Sequence, residues 1–391
     1  NKEFTFSVAN TIGSNMRNYK IIKKGQFACS IMQVRRDGKM PVALLQDYDE
    51  AIISQAYPVF KVIDEELLLP EYLMMWFSRT EFDRQATFHA VGGVRGSLEW
   101  DDFMNFELPI PTIEKQQAIV DEYNVVENRI QLNSQLNQKL EETAQAIYKE
   151  WFVKFNFPDE DGKPYKSSGG EMIYNEELDK EIPEGWKPGT LSDLADVING
   201  YSFKSDEFTD DGKFPILKIK NITPPTVSIN GCLFYRNIID ERLRKVKIQK
   251  GDILISMTGS GANQMKSAVG QVGRFYHNKI ALLNQRIGKL KMKKEEYNEY
   301  VYHFIKNEDT HLELLNGSTG SANQANISSN QIISLKVSIP KNKIIKKFDK
   351  IIKVMFNARR VESQHKLENL EKLLLSKMSK VKFENEFINK E

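Results

Sequence analysis

The chain of 391 residues holds only two cysteines, Cys29 and Cys232, and five histidines. Two thiols so far apart, in no C-x-x-C pairing, build neither a disulfide framework nor a paired-cysteine metal site, and they fit a reducing, cytoplasmic setting. No stretch approaches the ~18 consecutive apolar residues of a membrane helix. No charged-then-apolar opening segment reads as a signal peptide, so no membrane partner is expected. The common catalytic signatures are missing as well: no G-x-x-x-x-G-K-[ST] loop, no G-x-G-x-x-G after a strand, no H-E-x-x-H and no G-x-S-x-G elbow. Pro158-Asp159 with Asp161-Gly-Lys163 is too tightly spaced for two strands to present a nuclease-type metal site, and reads as an acidic loop. Thr223-Pro-Pro-Thr226 lacks the amide and the aromatic ring of an adenine-methyltransferase motif. These absences predict a chain that catalyses nothing by itself.

Hydrophobic residues make up 40% and charged residues 28%, the balance of a globular protein, and the length suits two or three folding units. The net charge of +2 hides an asymmetry: residues 1–113, 114–150 and 151–185 carry −3, −3 and −5, while 186–340 and 341–380 carry +6 and +8. The basic second half suits an anionic partner, nucleic acid first.

The chain is also a repeat. Tyr19-Lys-Ile-Ile-Lys-Lys-Gly-Gln-Phe27 resembles Lys245-Val-Lys-Ile-Gln-Lys-Gly-Asp-Ile253. Ser54-Gln55 then matches Asn284-Gln285, Glu71-Tyr72 matches Glu299-Tyr300, and Leu108-Pro-Ile-Pro111 matches Val337-Ser-Ile-Pro340. Co-linear matches at one slowly drifting offset mark a duplication. Short β-branched runs at 252–258 and 335–339 predict strands, and 70–85 and 296–315 carry helical spacing, so each copy is a mixed α/β unit.

Each copy stops at Ile-Pro and runs into a long helical segment. After Pro111 the apolar positions Ile119, Tyr123, Val126, Ile130, Leu140, Ala144 and Ile147 alternate 4-3, with Asn133 and Asn137 in the intervening places. That is a coiled-coil seam with two polar register-setters. After Pro340 the seam is Ile344, Phe348, Ile351, Met355, Ala358, Leu367, Leu370, Leu374 and Met378. A helix of ~35 residues is about 50 Å long, too long for one small globule to cover. The two helices, of opposite charge, are therefore expected to pack together. The expected fold is α/β (mixed α+β): two tandem domains linked by two long antiparallel coiled-coil helices, with pseudo-twofold symmetry. The expected boundaries are 1–111 for the first domain, 112–155 for the central helix, 156–185 for a Pro/Gly/acid-rich connector, 186–340 for the second domain, 341–380 for the distal helix and 381–391 for a tail.

Loops rich in Gly, amides and cations supply candidate contacts to DNA, since Asn and Gln pair bidentately with adenine, Arg with guanine, and Lys with phosphate. In the second half these are Tyr201, Lys204, Lys218, Lys220, Thr258, Asn263, Gln264, Lys266, Arg274, Asn284, Gln285, Ser318, Thr319 and Asn323, with Arg286 beside the amide pair. In the first half they are Gln33, Arg35, Arg36, Ser54, Gln55 and Arg95.

The order of these features resembles the specificity (S) subunits of type I restriction–modification systems, over nearly the whole chain. The resemblance rests on Ala146-Ile-Tyr-Lys-Glu-Trp-Phe152 with Phe155-Asn-Phe157, Gly162-Lys-Pro-Tyr-Lys-Ser-Ser-Gly-Gly170, Ile182-Pro-Glu-Gly-Trp186 and Gly200-Tyr-Ser-Phe-Lys204. It implies a non-catalytic subunit with two target-recognition domains, each reading one half of a split double-stranded DNA target across a gap set by the helices. Modification (methyltransferase) subunits would dock on the helices and restriction subunits would join them. S-adenosylmethionine, ATP and Mg²⁺ would belong to those partners, with no cofactor in this chain. The alternatives are a protein-interaction scaffold that reads no DNA, and a self-sufficient restriction enzyme, which the missing motifs disfavour. One departure stands out: at the repeat offset residue 1 corresponds to Asn230, so the first domain has no counterpart of 186–229. We expect that segment to be missing from this chain rather than the domain to be naturally short, because lost sheet elements would expose core. Substituting Arg274, or altering 317–324, is expected to weaken one half-site and spare assembly.

Overall fold

The computed structural model describes residues 2, 4, 16–92, 96–259, 268–321, 324–358, 369–375 and 378. The chain divides into two compact units, 1–132 with 363–391, and 133–362.

The second unit is built around the strand Ile253–Ser256, buried on both faces. Ile253 and Ile255 point into one apolar core and Leu254 into another, as the period of two demands. This strand is central in a six-stranded sheet whose order is Ile222–Thr223, Thr226–Val227, Val272–Arg274, Ile253–Ser256, Ile287–Met292, Ala195–Asn199. A five-stranded sheet, Phe208–Thr209, Leu233–Tyr235, Phe214–Leu217, Ala281–Leu283, Lys247–Ile248, closes the second core. The helices Asn298–Lys306 and Glu308–Asn316 cover the first core, broken at Asn307 where the spacing predicts a single helical run.

The first unit repeats the centre of this plan. Phe27–Cys29 lies between Val42–Leu44 and Val59–Phe60, as Ile253–Ser256 lies between Val272–Arg274 and Ile287–Met292, all antiparallel. Pro70–Phe77 and Thr80–His89 match the helix pair. The matched turns agree in detail. Gly25 and Gly251 both take left-handed backbone, φ 81° and 95°, which glycine tolerates best. The Gln26 side chain accepts from the Lys23 amide at 2.8 Å, and the Asp252 side chain accepts from the Gln249 amide at the same distance. Buried Tyr72 donates its hydroxyl to the Pro109 carbonyl at 3.2 Å, and buried Tyr300 donates to the Ser338 carbonyl at 2.8 Å. Where the copies differ, core is exposed. Ile52 is 60% exposed, whereas Leu282 in the matching strand is fully buried beside Phe214–Leu217.

The central helix runs Ile113–Tyr148, 36 residues, and ends in a wider turn, Lys149–Val153, that buries Trp151 and Phe152. Every expected seam position along it is buried or half-buried. Two polar residues outside the pattern, Gln116 and Glu141, are buried too. The distal helix is described over Asn342–Ala358 and again over 369–375. Ile345 and Ile352 join its buried face, while Leu370 is 40% exposed and Leu367 lies outside the described residues. Within the first unit Val120 packs with Met378, and Tyr123 bonds Glu371 at 2.9 Å. Within the second, Tyr148 and Phe152 pack on Phe348. The segment 156–185 holds a hairpin, Met172–Asn175 with Lys180–Pro183, and contributes Phe157 and Ile182 to the core.

His303 lies fully buried between the helices, its Nδ1 2.8 Å from Gln145 Oε1. Burial pushes its pKa well below the ordinary value of 6.5, and the Lys306 and Arg274 charges add to the shift.

Tyr72→Phe and Tyr300→Phe should each lower unfolding free energy by about 0.5–1.5 kcal/mol, read from urea midpoints at constant slope. Stability should be complete above about pH 6.5 and fall as pH drops below it, because the unfolded chain binds a proton that the buried His303 ring refuses. The fall should approach ~1.4 kcal/mol per pH unit for this one site and be smaller in His303→Gln, measured as unfolding free energy between pH 7.5 and 5.5, roughly one unit either side of the free imidazole pKa.

Candidate nucleic-acid interface

Strand ends of the second unit form one polar rim. At one point three chain segments meet on backbone bonds: the Tyr201 amide donates to Leu283 at 2.8 Å, the Gln285 amide to Tyr201 at 3.0 Å, and the Asn284 amide to Leu217 at 3.2 Å. A Cβ on Gly200 would lie 2.0 Å from the Asn284 carbonyl oxygen, so only glycine permits this approach. Lys218 follows Leu217 directly. From Gln285 the rim continues through Arg286, whose carbonyl accepts from the Met257 amide at 3.0 Å, to Thr258. Thr258 and Thr319 both pair in register with Asn326, across the small sheet Thr258–Gly259, Gln324–Asn326, Thr319–Ser321. Nearby, Ser329 Oγ donates to Asn199 Oδ1 at 2.6 Å.

Six of the predicted residues, Tyr201, Lys218, Thr258, Asn284, Gln285 and Thr319, therefore share one edge. Gln285, Arg286 and Thr319 are exposed, and Tyr201, Lys218, Asn284 and Ser318 are half-buried. An exposed amide beside an exposed guanidinium can present bidentate donors to base edges, with lysine near for phosphate. The Lys218 ammonium sits over the Phe208 ring at 4.5 Å. Ser318 Oγ donates to the Leu315 carbonyl at 2.6 Å. Lys204 is exposed but opens a short acidic turn, its amide bonded to Glu207 at 2.7 Å. The exposed Lys220 reaches the Gly231 carbonyl at 2.8 Å. Sequence reasoning missed Asn199, Asn326 and Ser329 on this rim; the Ser328/Gln331 capping box marks the turn that brings Ser329 there.

Two expectations are corrected. Arg274 is 7% exposed, in the interior: its guanidinium bonds Glu299 at 2.8 Å and Asn298 at 2.9 Å, and stands 4.9 Å from the Tyr302 ring. A buried cation is tolerated because a carboxylate faces it, and burial raises the Glu299 pKa against that arginine's pull. Thr258 is buried, its hydroxyl donated to Asn326 Oδ1 at 2.9 Å, so it braces the small sheet rather than facing outward.

In the first unit Gln33, in left-handed backbone at φ 61°, opens the turn Val34–Asp37. Arg35 is exposed and reaches the Gly92 carbonyl at 3.4 Å; Arg36 pairs with Asp37 at 2.7 Å. Ser54 Oγ accepts from the Ala56 amide at 3.4 Å, leaving Gln55 exposed beside it. Arg95, Asn263, Gln264, Lys266 and Asn323 lie outside the described residues. Among the described residues no group of three His, Cys, Asp or Glu could hold a metal ion, and no helix is long and apolar enough to cross a membrane.

This is a duplicated α/β chain in which each copy leads into a long helix and the second presents a polar loop rim. It belongs to the type I restriction modification DNA specificity domain family, whose model matches residues 11–142 and 183–372. Among its relatives, the type I restriction enzyme MjaIX specificity subunit of Methanocaldococcus jannaschii is 28% identical over 162 residues, 41% of this chain and 35% of that protein. The HindI specificity subunit of Haemophilus influenzae is 31% identical over 140 residues, 35% of this chain and 30% of that protein. The chain thus spans about a third of the length of these curated relatives. A crystal structure of the type I restriction-modification S subunit from M. genitalium shares the fold, with TM-score 0.50 and 17% identity, covering 92% of this chain and 84% of that one.

Arg274→Ala should lower unfolding free energy by about 3–5 kcal/mol, since it strands the Glu299 carboxylate. Thr319→Ala and Gln285→Ala should stay within about 0.5 kcal/mol of the parent in the same urea titrations.

Proposed function

We propose that this chain is the non-catalytic DNA-specificity subunit of a type I restriction–modification complex. The observation that carries the reading is the duplication of one family domain with its helix, the second copy presenting amide, guanidinium and ammonium groups along one rim. Each domain reads one half of a split double-stranded target, and the helices fix the gap between the halves. Modification subunits dock on the helices and restriction subunits complete the assembly, in the cytoplasm. S-adenosylmethionine, ATP and Mg²⁺ serve those partners, which leaves binding and spacing to this chain.

The test is a selection from random duplex DNA with the chain bound to its cognate methyltransferase subunit, at about 150 mM salt so that nonspecific phosphate binding is suppressed. A split motif with a fixed gap is expected. Enrichment of one short half-site alone would overturn the two-domain reading, and no enrichment would leave a scaffold that reads no DNA. Gln285→Ala and Arg286→Ala should each cost about 1–3 kcal/mol on the second half-site and leave assembly with the methyltransferase unchanged.

A further inference from the structure

The central helix and the helix Asn298–Lys306 meet on buried polar groups where an apolar seam would have sufficed. Tyr302 donates its hydroxyl to Glu141 Oε1 at 2.8 Å, and Lys306 donates to the same oxygen at 2.5 Å. One turn on, His303 Nδ1 lies 2.8 Å from Gln145 Oε1, and Gln145 Nε2 donates to the His303 carbonyl at 3.3 Å. Glu141 and Gln145 are four residues apart, as are Tyr302 and Lys306, so each pair shares one helix face. Glu141, Tyr302 and His303 are all at least nine-tenths buried.

Such a contact has one satisfactory register. Sliding either helix by a turn, about 5.4 Å, would leave a carboxylate and an imidazole buried without these partners, whereas an aliphatic seam would repack. The constraint also reaches the sheet. The Tyr302 ring lies 4.9 Å from the Arg274 guanidinium, and Arg274 pairs in register with Ile253. Ile253–Ser256 then runs to Ser256, which pairs with Ile287, the neighbour of Arg286 on the rim.

We propose that Glu141, Gln145, Tyr302, His303 and Lys306 are positioning residues that fix the register at which the second recognition sheet is held on the central helix, and so the length of the gap between half-sites. The proposal rests on the DNA-reading function above. In the first unit the fully buried polar residue on the same helix is neutral: Gln116 accepts from the Leu69 amide at 2.9 Å and donates to the Leu67 and Pro111 carbonyls, each at 2.8 Å. The buried carboxylate, Glu141, belongs to the second contact.

The experiment measures affinity of the chain, bound to its methyltransferase subunit, for the selected target and for duplexes with the gap one base pair shorter or longer. Tyr302→Phe and the paired change Glu141→Leu with Lys306→Met, which swaps the ion pair for apolar groups, are compared with the parent. The parent should prefer one gap. In the variants the ratio between preferred and altered gaps should fall by about fivefold or more, the low end of coupling between distant sites, with affinity for an isolated second half-site unchanged. Equal losses at every gap length, or an unchanged ratio in both variants, would overturn the proposal and leave these residues a purely structural role. A parent that selects a split motif but tolerates any gap would overturn it too, while a parent that selects no motif would remove the DNA-reading function on which it rests. Tyr302→Phe loses a single hydroxyl, so it keeps the test open where the paired change fails to fold.

Discussion

A helix of 36 residues is about 54 Å long, and its apolar stripe must be covered along that whole length. Much of the described structure answers that requirement. The first unit covers the early turns with Tyr72, Met75 and Met378, and the second covers the late turns with Tyr300, Phe348 and Ile352. Duplication meets the need economically, since one domain design supplies both coverings. The shared Tyr-to-carbonyl bond, at Tyr72 and Tyr300, shows the design retained where each domain hands its chain over to a helix.

The two coverings differ in chemistry. Around the early turns Gln116 satisfies three backbone groups and Tyr123 bonds Glu371 beside an apolar cluster. Around the late turns a carboxylate, an imidazole and a phenol are buried together with a half-buried ammonium, backed by the Arg274–Glu299 pair. Buried ion pairs add little net stability because desolvation consumes the Coulombic gain, but a mispaired arrangement is heavily penalised. The same chemistry that makes the second contact a poor source of stability makes any other pairing of these groups costly.

The rim is built differently. Its side chains project from turns whose backbones are interlocked, so Gly200 must be glycine and the Tyr201, Asn284 and Leu217 segments cannot move apart singly. Gln285, Arg286 and Thr319 ride on that frame with exposed side chains.

What is periodic or repeated is legible before folding: the 4-3 seam, the two copies, the Lys-Gly turns and the Ile-Pro stops before each helix. These signals are local, and every seam position named from them is buried or half-buried on the central helix. Which polar residues face inward emerges only in the folded chain. Glu141 falls outside the 4-3 seam and Arg274 reads as a DNA-facing cation in sequence, since nothing in the spacing of Val272–Arg274 shows that the helix carrying Glu299 crosses it. Thr258 belongs with the loop residues in sequence, yet Asn326, 68 positions later, claims its hydroxyl. Burial of a polar group depends on partners far along the chain, which periodicity does not encode and folding alone brings into contact.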